Sequence, residues 1–140
     1  MSLYLDASVL VTLFVMDPSS PRAEAFLSAH PEIVVVSDFG VAEFSSAVGR
    51  RVRTRDLARE DGELALSNLD TWVARSAYRE ETTTADIDAA NRILRRLDIN
   101  LRTPDAIHIA IARRLEATLV TFDRSMAGGA RALGMAVATP

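Results

Sequence analysis

Two spacings of apolar residues alternate along this chain. Short apolar runs at Leu3–Leu5, Ile33–Val36, Leu119–Thr121 and Met135–Ala138 predict strands. Ile33–Val36 is continuous and β-branched, the mark of a parallel strand covered on both faces. Ala77–Glu81 reads as a further short strand. Between the runs, apolar residues recur every three or four positions and predict helices. These cover Ser8–Phe14, Pro21 to about Ala29, Val41 to Arg53, Leu57 to Val73, Asp86–Leu97, Thr103 to about Glu116, and Arg124–Leu133. The Thr103 helix is apolar almost all round through Ala106, Ile107, Ile109, Ala110, Ile111 and Ala112, so it belongs at the centre of the fold. Strands alternating with helices predict an α/β fold, a three-layer α/β/α sandwich with a mainly parallel sheet.

At 140 residues the chain has the length of one domain, residues 1–140, and can bury a core without staples. No apolar run reaches the roughly 18 residues of a membrane span. MSLYLDASVLVTLF lacks the basic start of a signal peptide, so the expected location is cytoplasmic. Composition then narrows the chemistry. There is no Cys, which removes disulfides, thiolate metal sites and Cys nucleophiles. All 16 basic residues are Arg, so a P-loop and Schiff-base chemistry are excluded. His30 and His108 are the two histidines, too few for a poly-His site. A net charge of −3 argues against a nucleic-acid partner until the acids are placed. With four carboxylates set aside as a site, the rest of the chain is close to neutral.

In open α/β sheets, sites form beyond the carboxyl ends of the strands. Asp6 ends the first predicted strand, Asp38 and Glu43 follow the second, and Asp123 follows Thr118–Phe122. Asp105 lies in the first turn of the central helix. Each acid also has a plainer role. Asp6, Asp38 and Asp123 can cap helices, Glu43 can complete a capping box, and Asp105 can face a helix dipole. All of them at one edge, with no Lys to neutralise them, point further. Crowded carboxylates call for a cation, and oxygen-only ligands select Mg²⁺ or Mn²⁺. Such an ion can polarise a phosphodiester and acidify a water.

The same segments carry a family likeness. YLDASVL, VAEF, TPDAIHIAIA and LVTFDRSM, in this order over nearly the whole chain, resemble the PIN-domain ribonucleases and in particular the VapC-type toxins of VapBC toxin–antitoxin pairs. The resemblance implies a PIN fold, Mg²⁺-dependent cleavage of RNA, frequent homodimers and a small antitoxin partner. It implies that Asp6, Glu43, Asp105 and Asp123 form the catalytic quartet, with Asp6, Asp105 and Asp123 as metal ligands and Glu43 acting through water. Ser8 and Thr121 match polar positions that hydrogen-bond the carboxylates. The extra acid Asp38 leaves two candidates after the second strand, and the motif favours Glu43.

Other residues bear on function. His108, one turn after Asp105, reads as a core-edge histidine bonded to a neighbour, with general-acid catalysis as the alternative. His30 reads as solvated at a helix end. Arg50, in a basic run that reaches Arg59 and two turns from Glu43, and Arg124, beside Asp123, are candidate RNA contacts. The antitoxin is expected to lay an apolar helix against Ala23–Leu27 and Leu57–Trp72 and to push a basic side chain into the acids. An aspartyl-phosphate phosphohydrolase fails because Ser8 stands where its second Asp belongs. A housekeeping RNA-processing nuclease and a non-catalytic module of the same fold stay open.

Overall fold

The computed structural model describes residues 1–140. Five strands, β1 (Ser2–Leu5), β2 (Ile33–Ser37), β3 (Tyr78–Glu80), β4 (Thr118–Val120) and β5 (Val137–Ala138), form one sheet. Its order is β3-β2-β1-β4-β5 and every pairing is parallel, more uniform than the mainly parallel sheet expected. Seven helices connect them: α1 (Ala7–Phe14), α2 (Ser20–Ala29), α3 (Asp38–Arg53), α4 (Arg59–Ser76), α5 (Thr84–Leu94), α6 (Thr103–Arg114) and α7 (Arg124–Ala132). No helix is long and apolar enough to cross a membrane.

The central strand organises the layers. Side chains alternate across a strand, so Leu3 and Leu5 of β1 point to one face and Tyr4 to the other. Leu3 and Leu5 join Val9, Leu10, Phe44 and Leu69 in a core under α1, α3 and α4. Tyr4 joins Ile109, Ile111, Ala106 and Met126 in a second core under α5, α6 and α7. The chain runs outward from β1 to β2 and β3, then returns to β4 on the other side. That reversal opens a crevice at the carboxyl ends of β1 and β4, where open α/β sheets hold their ligands.

Several boundaries differ from those the sequence predicts, each for a local reason. Helix α3 begins at Asp38, not Val41, because the Ser37 hydroxyl caps it by accepting from the Gly40 amide at 2.9 Å. Asp38 is therefore not the cap. Helix α4 runs from Arg59 to Ser76, later at both ends than Leu57–Val73. Helix α5 stops at Leu94 rather than Leu97, which is left 96% exposed. The last strand is only Val137–Ala138. His30 is half-buried, its Nδ1 donating to the Phe26 carbonyl at 2.8 Å and its ring stacked on the Phe26 ring, not simply solvated.

An ion pair between a buried carboxylate and a more exposed arginine ties the α5–α6 layer to the edge strand. Asp86, 2% exposed, accepts from Arg114 Nε at 2.8 Å and Nη2 at 3.0 Å. The same guanidinium reaches Glu80 of β3 at 2.7 Å and the Glu81 carbonyl at 3.1 Å. Asp86 also closes a capping box with Thr83. Burial alone would push the Asp86 carboxyl up, but the bonds from Arg114 and Thr83 overcome it and hold it below the ordinary carboxylate range. A depressed folded value means the unfolded chain binds the proton more readily. The pair's stabilisation is then complete above the unfolded value and lost as pH falls through the folded one. Arg114→Ala should therefore cost about 3 kcal/mol in denaturant melts at pH 7, because it leaves a buried charge unpaired. The gap between variant and parent should close as the pH drops below about 4; an unchanged gap at low pH would show that packing, not the pair, carries the effect.

Candidate active site

Asp6 is the first residue beyond β1 and the N-cap of α1. Its Oδ1 accepts from the Ser8 hydroxyl at 2.6 Å and the Val9 amide at 3.1 Å, and its Oδ2 from the Thr121 hydroxyl at 2.6 Å. The string continues towards α7. Thr121 Oγ1 accepts from the Asp123 amide at 2.9 Å, and Ser8 Oγ from the Phe122 amide at 3.0 Å. Asp123 caps α7 by accepting from the Met126 amide at 2.9 Å. Ser8 and Thr121 thus fix the Asp6 carboxylate from both sides and tie it to the loop that carries Asp123. Burial raises the Asp6 carboxyl above its ordinary value, and the bonds from Ser8, Thr121 and Val9 only partly restrain the rise.

A second string runs from Glu43, in the second turn of α3, into the core. Glu43 Oε1 meets His108 Nε2, His108 Nδ1 meets the Tyr4 phenol at 2.7 Å, and the phenol meets Ser37 Oγ at 2.7 Å. Tyr4, His108 and Ser37 are buried. Ser37 Oγ already accepts from Gly40, and its own proton has one partner within reach, the phenol oxygen. The phenol then donates to Nδ1, and Nε2–H donates to Glu43. Any reversal leaves the Ser37 proton without an acceptor. Burial pushes the Tyr4 phenol far up, so it keeps the proton this direction requires. Gly40 makes the approach possible, since a Cβ there would meet Ser37 Oγ at 3.3 Å and His108 Cε1 at 3.5 Å.

Asp105 lies three residues before His108 on α6, is 5% exposed, and accepts from the Arg102 amide at 3.0 Å. A proton on His108 would act on Asp6 through space, so the two strings are electrostatically in touch. Asp38 turns elsewhere. Its Oδ1 accepts from the Phe39 amide at 2.7 Å, the Thr82 amide at 2.9 Å and the Thr82 hydroxyl. Burial opposes its ionisation, and the Thr82 bonds outweigh it and hold the carboxyl low. Asp38 ties the loop after β3, and Glu43 is the acid that faces His108. The capping roles of Asp6, Asp105 and Asp123 are real as well; the helix starts themselves aim these acids. No arginine pairs with Asp6, Glu43, Asp105 or Asp123. No three acidic or histidine side chains stand close enough to chelate an ion as placed. Arg50 lies apart, in a hollow of about 380 Å³ with Val11, Ala47, Arg51, Thr54 and Asp56, which none of the four acids lines. Arg124 does share a hollow with Asp123. Sequence reasoning missed Tyr4 and Ser37. A tyrosine within an otherwise aliphatic strand was the available signal, because a buried phenol must find a partner.

An all-parallel α/β/α sandwich with unneutralised carboxylates at the carboxyl edge of its central strands defines an acid-site α/β protein. Comparison with known proteins narrows that class. The PIN domain model matches residues 3–131, and the chain belongs to the PIN-domain family. It is 34% identical to Ribonuclease VapC46 of Mycobacterium tuberculosis, over 99% of this chain and 98% of that one. Its fold is similar to the crystal structure of VapC20 of the same organism, described as a sarcin-ricin loop cleaving toxin, with a TM-score of 0.77, 19% identity and 99% of each chain covered. It is also similar to VapBC2 from Rickettsia felis bound to a promoter DNA fragment, with a TM-score of 0.72, 16% identity, and 100% and 99% of the chains covered.

The raised Asp6 value gives a test of the site's energetics. Its ionisation in the folded chain is unfavourable, so stability falls as pH rises from the ordinary carboxylate range through the raised value. Asp6→Asn should gain roughly 1 kcal/mol in thermal melts at pH 7 with a chelator present, and the gain should vanish towards pH 4. A variant less stable than its parent at pH 7 would mean that the three donors outweigh the burial.

Proposed function

We propose that this chain is a Mg²⁺-dependent endoribonuclease, the toxin of a type II toxin–antitoxin pair. The observation that carries the reading is the Asp6 carboxylate, buried at the carboxyl end of the central strand among hydroxyl and amide donors, with no arginine paired to it. The donor set suits a hard divalent ion, Mg²⁺ or Mn²⁺, because every available ligand atom is oxygen. Asp6, Asp105 and Asp123 would hold it. When bound, it supplies polarisation of the phosphodiester and an acidified water. The chain's own residues do the rest. Ser8 and Thr121 hold Asp6 in one orientation. His108 fixes Glu43 through Oε1, and Oε2, free of protein donors, can accept a hydrogen bond from the attacking water. Arg124 beside Asp123 suits a phosphate oxygen, whereas Arg50 could reach only a more distant part of the strand.

The name of the 34% identical relative supports ribonuclease activity, and the toxin–antitoxin neighbours support a small antitoxin partner. A hollow of about 360 Å³ lined by Phe14, Val15, Met16, Leu57, Leu64 and Ala65, with Met16 93% exposed, would seat an apolar antitoxin helix. A homodimer and a cytoplasmic location complete the reading. A housekeeping RNA nuclease would share every feature of the site and differ only in lacking the antitoxin.

The deciding experiment is cleavage of purified total RNA with Mg²⁺ or Mn²⁺, and with EDTA. Cutting should need the divalent ion and fall at least about 100-fold in Asp6→Asn and Asp105→Asn. Folded protein that never cuts would favour a non-catalytic module of this fold. His108→Ala should lower kcat by about 10–100-fold with little change in KM, because it frees Glu43 without touching RNA. An equal rise in KM would place His108 on the substrate instead.

A further inference from the structure

A hollow of about 240 Å³ is lined by Arg22, Phe122, Arg124, Ala127, Arg131 and Thr139, with Asp123 as its one acid. From its position and charge we infer that it is a subsite for the RNA backbone, in which Arg22, Arg124 and Arg131 hold a phosphate flanking the one that is cut. The inference rests on the ribonuclease reading above and adds the residues that hold the strand.

Three features separate this hollow from the other arginine clusters of the chain. Its arginines come from two helices, and none of them pairs with an Asp or Glu side chain. Arg124 and Arg131 lie seven residues apart on α7, two turns along one face. Arg22 enters from α2 and is held in place, with its guanidinium over the Phe122 ring at 5.7 Å and Nη2 donating to the Pro140 carbonyl at 2.5 Å. Elsewhere, the hollow of about 500 Å³ between α5 and α6 gathers Arg92, Arg96, Arg113 and Arg114. There Arg96 pairs with Asp98 at 3.1 Å and Arg114 with Glu80 and Asp86, and no quartet acid is present. Arg50 and Arg51 share their hollow with Asp56.

The acid in the hollow, Asp123, sets the direction of the field. A strand entering here meets three guanidinium groups on one side and the carboxylates on the other. The arginines offset the repulsion that a polyanion would feel from the acids. That resolves the apparent conflict between an overall charge of −3 and an anionic substrate. The hollow is smaller than the roughly 300–1,000 Å³ of a site that encloses a whole small molecule. It fits one unit of a polymer, and planar guanidinium forks match phosphate oxygens two at a time. The start of α7 adds its amide dipoles to the same side.

The test is binding of a fluorescent single-stranded RNA oligonucleotide of mixed sequence, titrated with salt in EDTA so that nothing is cut. Arg22→Ala and Arg131→Ala should each weaken binding by about 5–10-fold near 0.15 M salt and reduce the slope of log K against log salt by about 0.7. Arg22→Lys should restore most of the slope. Arg92→Ala and Arg113→Ala, in the other hollow, should change neither quantity. Thermal melts should confirm that these exposed substitutions leave the fold intact. Parent-like affinity and slope in both Arg22→Ala and Arg131→Ala, in a parent chain that cuts RNA, would overturn the subsite and leave the nuclease standing. Displacement of the oligonucleotide by micromolar nucleoside monophosphate would overturn it in favour of a free-nucleotide site. A parent chain that neither binds nor cuts RNA would remove the ribonuclease reading and the subsite with it.

Discussion

Burying the Asp6 carboxylate at the end of the central strand is the constraint around which this molecule is arranged. Moving a carboxylate out of water costs several kcal/mol even after relaxation. The fold supplies three donors, from Ser8, Val9 and Thr121, each worth about 1.5–3 kcal/mol when the acceptor is charged. The two sums are of the same size, and the direction of the Asp6 shift shows that burial wins. A chain selected only for stability would place an arginine here, as it does at Asp86. At Asp86 the cation is present and the carboxyl is held low; at Asp6 it is absent and the carboxyl is driven up. The same residue type therefore shifts in opposite directions, because Asp6 is the more deeply desolvated and Asp86 has both a guanidinium and the Thr83 donors.

The parallel sheet explains how distant acids reach one edge. Asp6 and Thr121 leave adjacent strands, β1 and β4, at the same level, so a hydroxyl on one can reach the carboxylate of the other. Glu43 arrives differently. It sits a turn and a half into α3, and only the close passage of that helix over β1 at Gly40 brings it near α6. There His108 takes it up, backed by Tyr4 and Ser37. Each proton in this string points towards Glu43, so the buried end is neutral and the negative charge is left at the solvent-facing end. Neutral groups inside and charge outside is the cheaper arrangement for a polar string that crosses a core.

Much of this was legible in the sequence because the signals are local. Continuous β-branched runs, caps and an all-apolar helix marked the layers, and strand ends and helix starts marked the candidate acids. The boundaries slipped where a side chain decided them. Ser37 moved the start of α3 by three residues through one hydroxyl, and no periodicity records that bond. Asp38 could not be separated from Glu43 by position alone, because the choice depends on Thr82, 44 residues away. The Tyr4–His108 contact spans 104 residues and the Arg114–Asp86 pair 28, and neither has a spacing to betray it. Helix-start acids were legible for a further reason: Asp6, Asp105 and Asp123 each cap or close the start of a helix, a role with a local signature.

The distribution of arginine completes the picture. With no lysine, each cation in this chain is a planar fork, and the structure uses forks in two ways. Arg114 spends its donors on Asp86, Glu80 and the Glu81 carbonyl, which fastens the edge strand to the α5–α6 layer. Arg22 pairs with no Asp or Glu and is held over the Phe122 ring by its bond to Pro140, in the hollow that Asp123 lines. A cation held in place has already lost part of the side-chain entropy that anion binding would demand, which lowers the cost of receiving an anion there. On the ribonuclease reading proposed above, the acids at the carboxyl edge and the immobilised arginine beside Asp123 would act together, the arginine offsetting the repulsion between carboxylates and a polyanion.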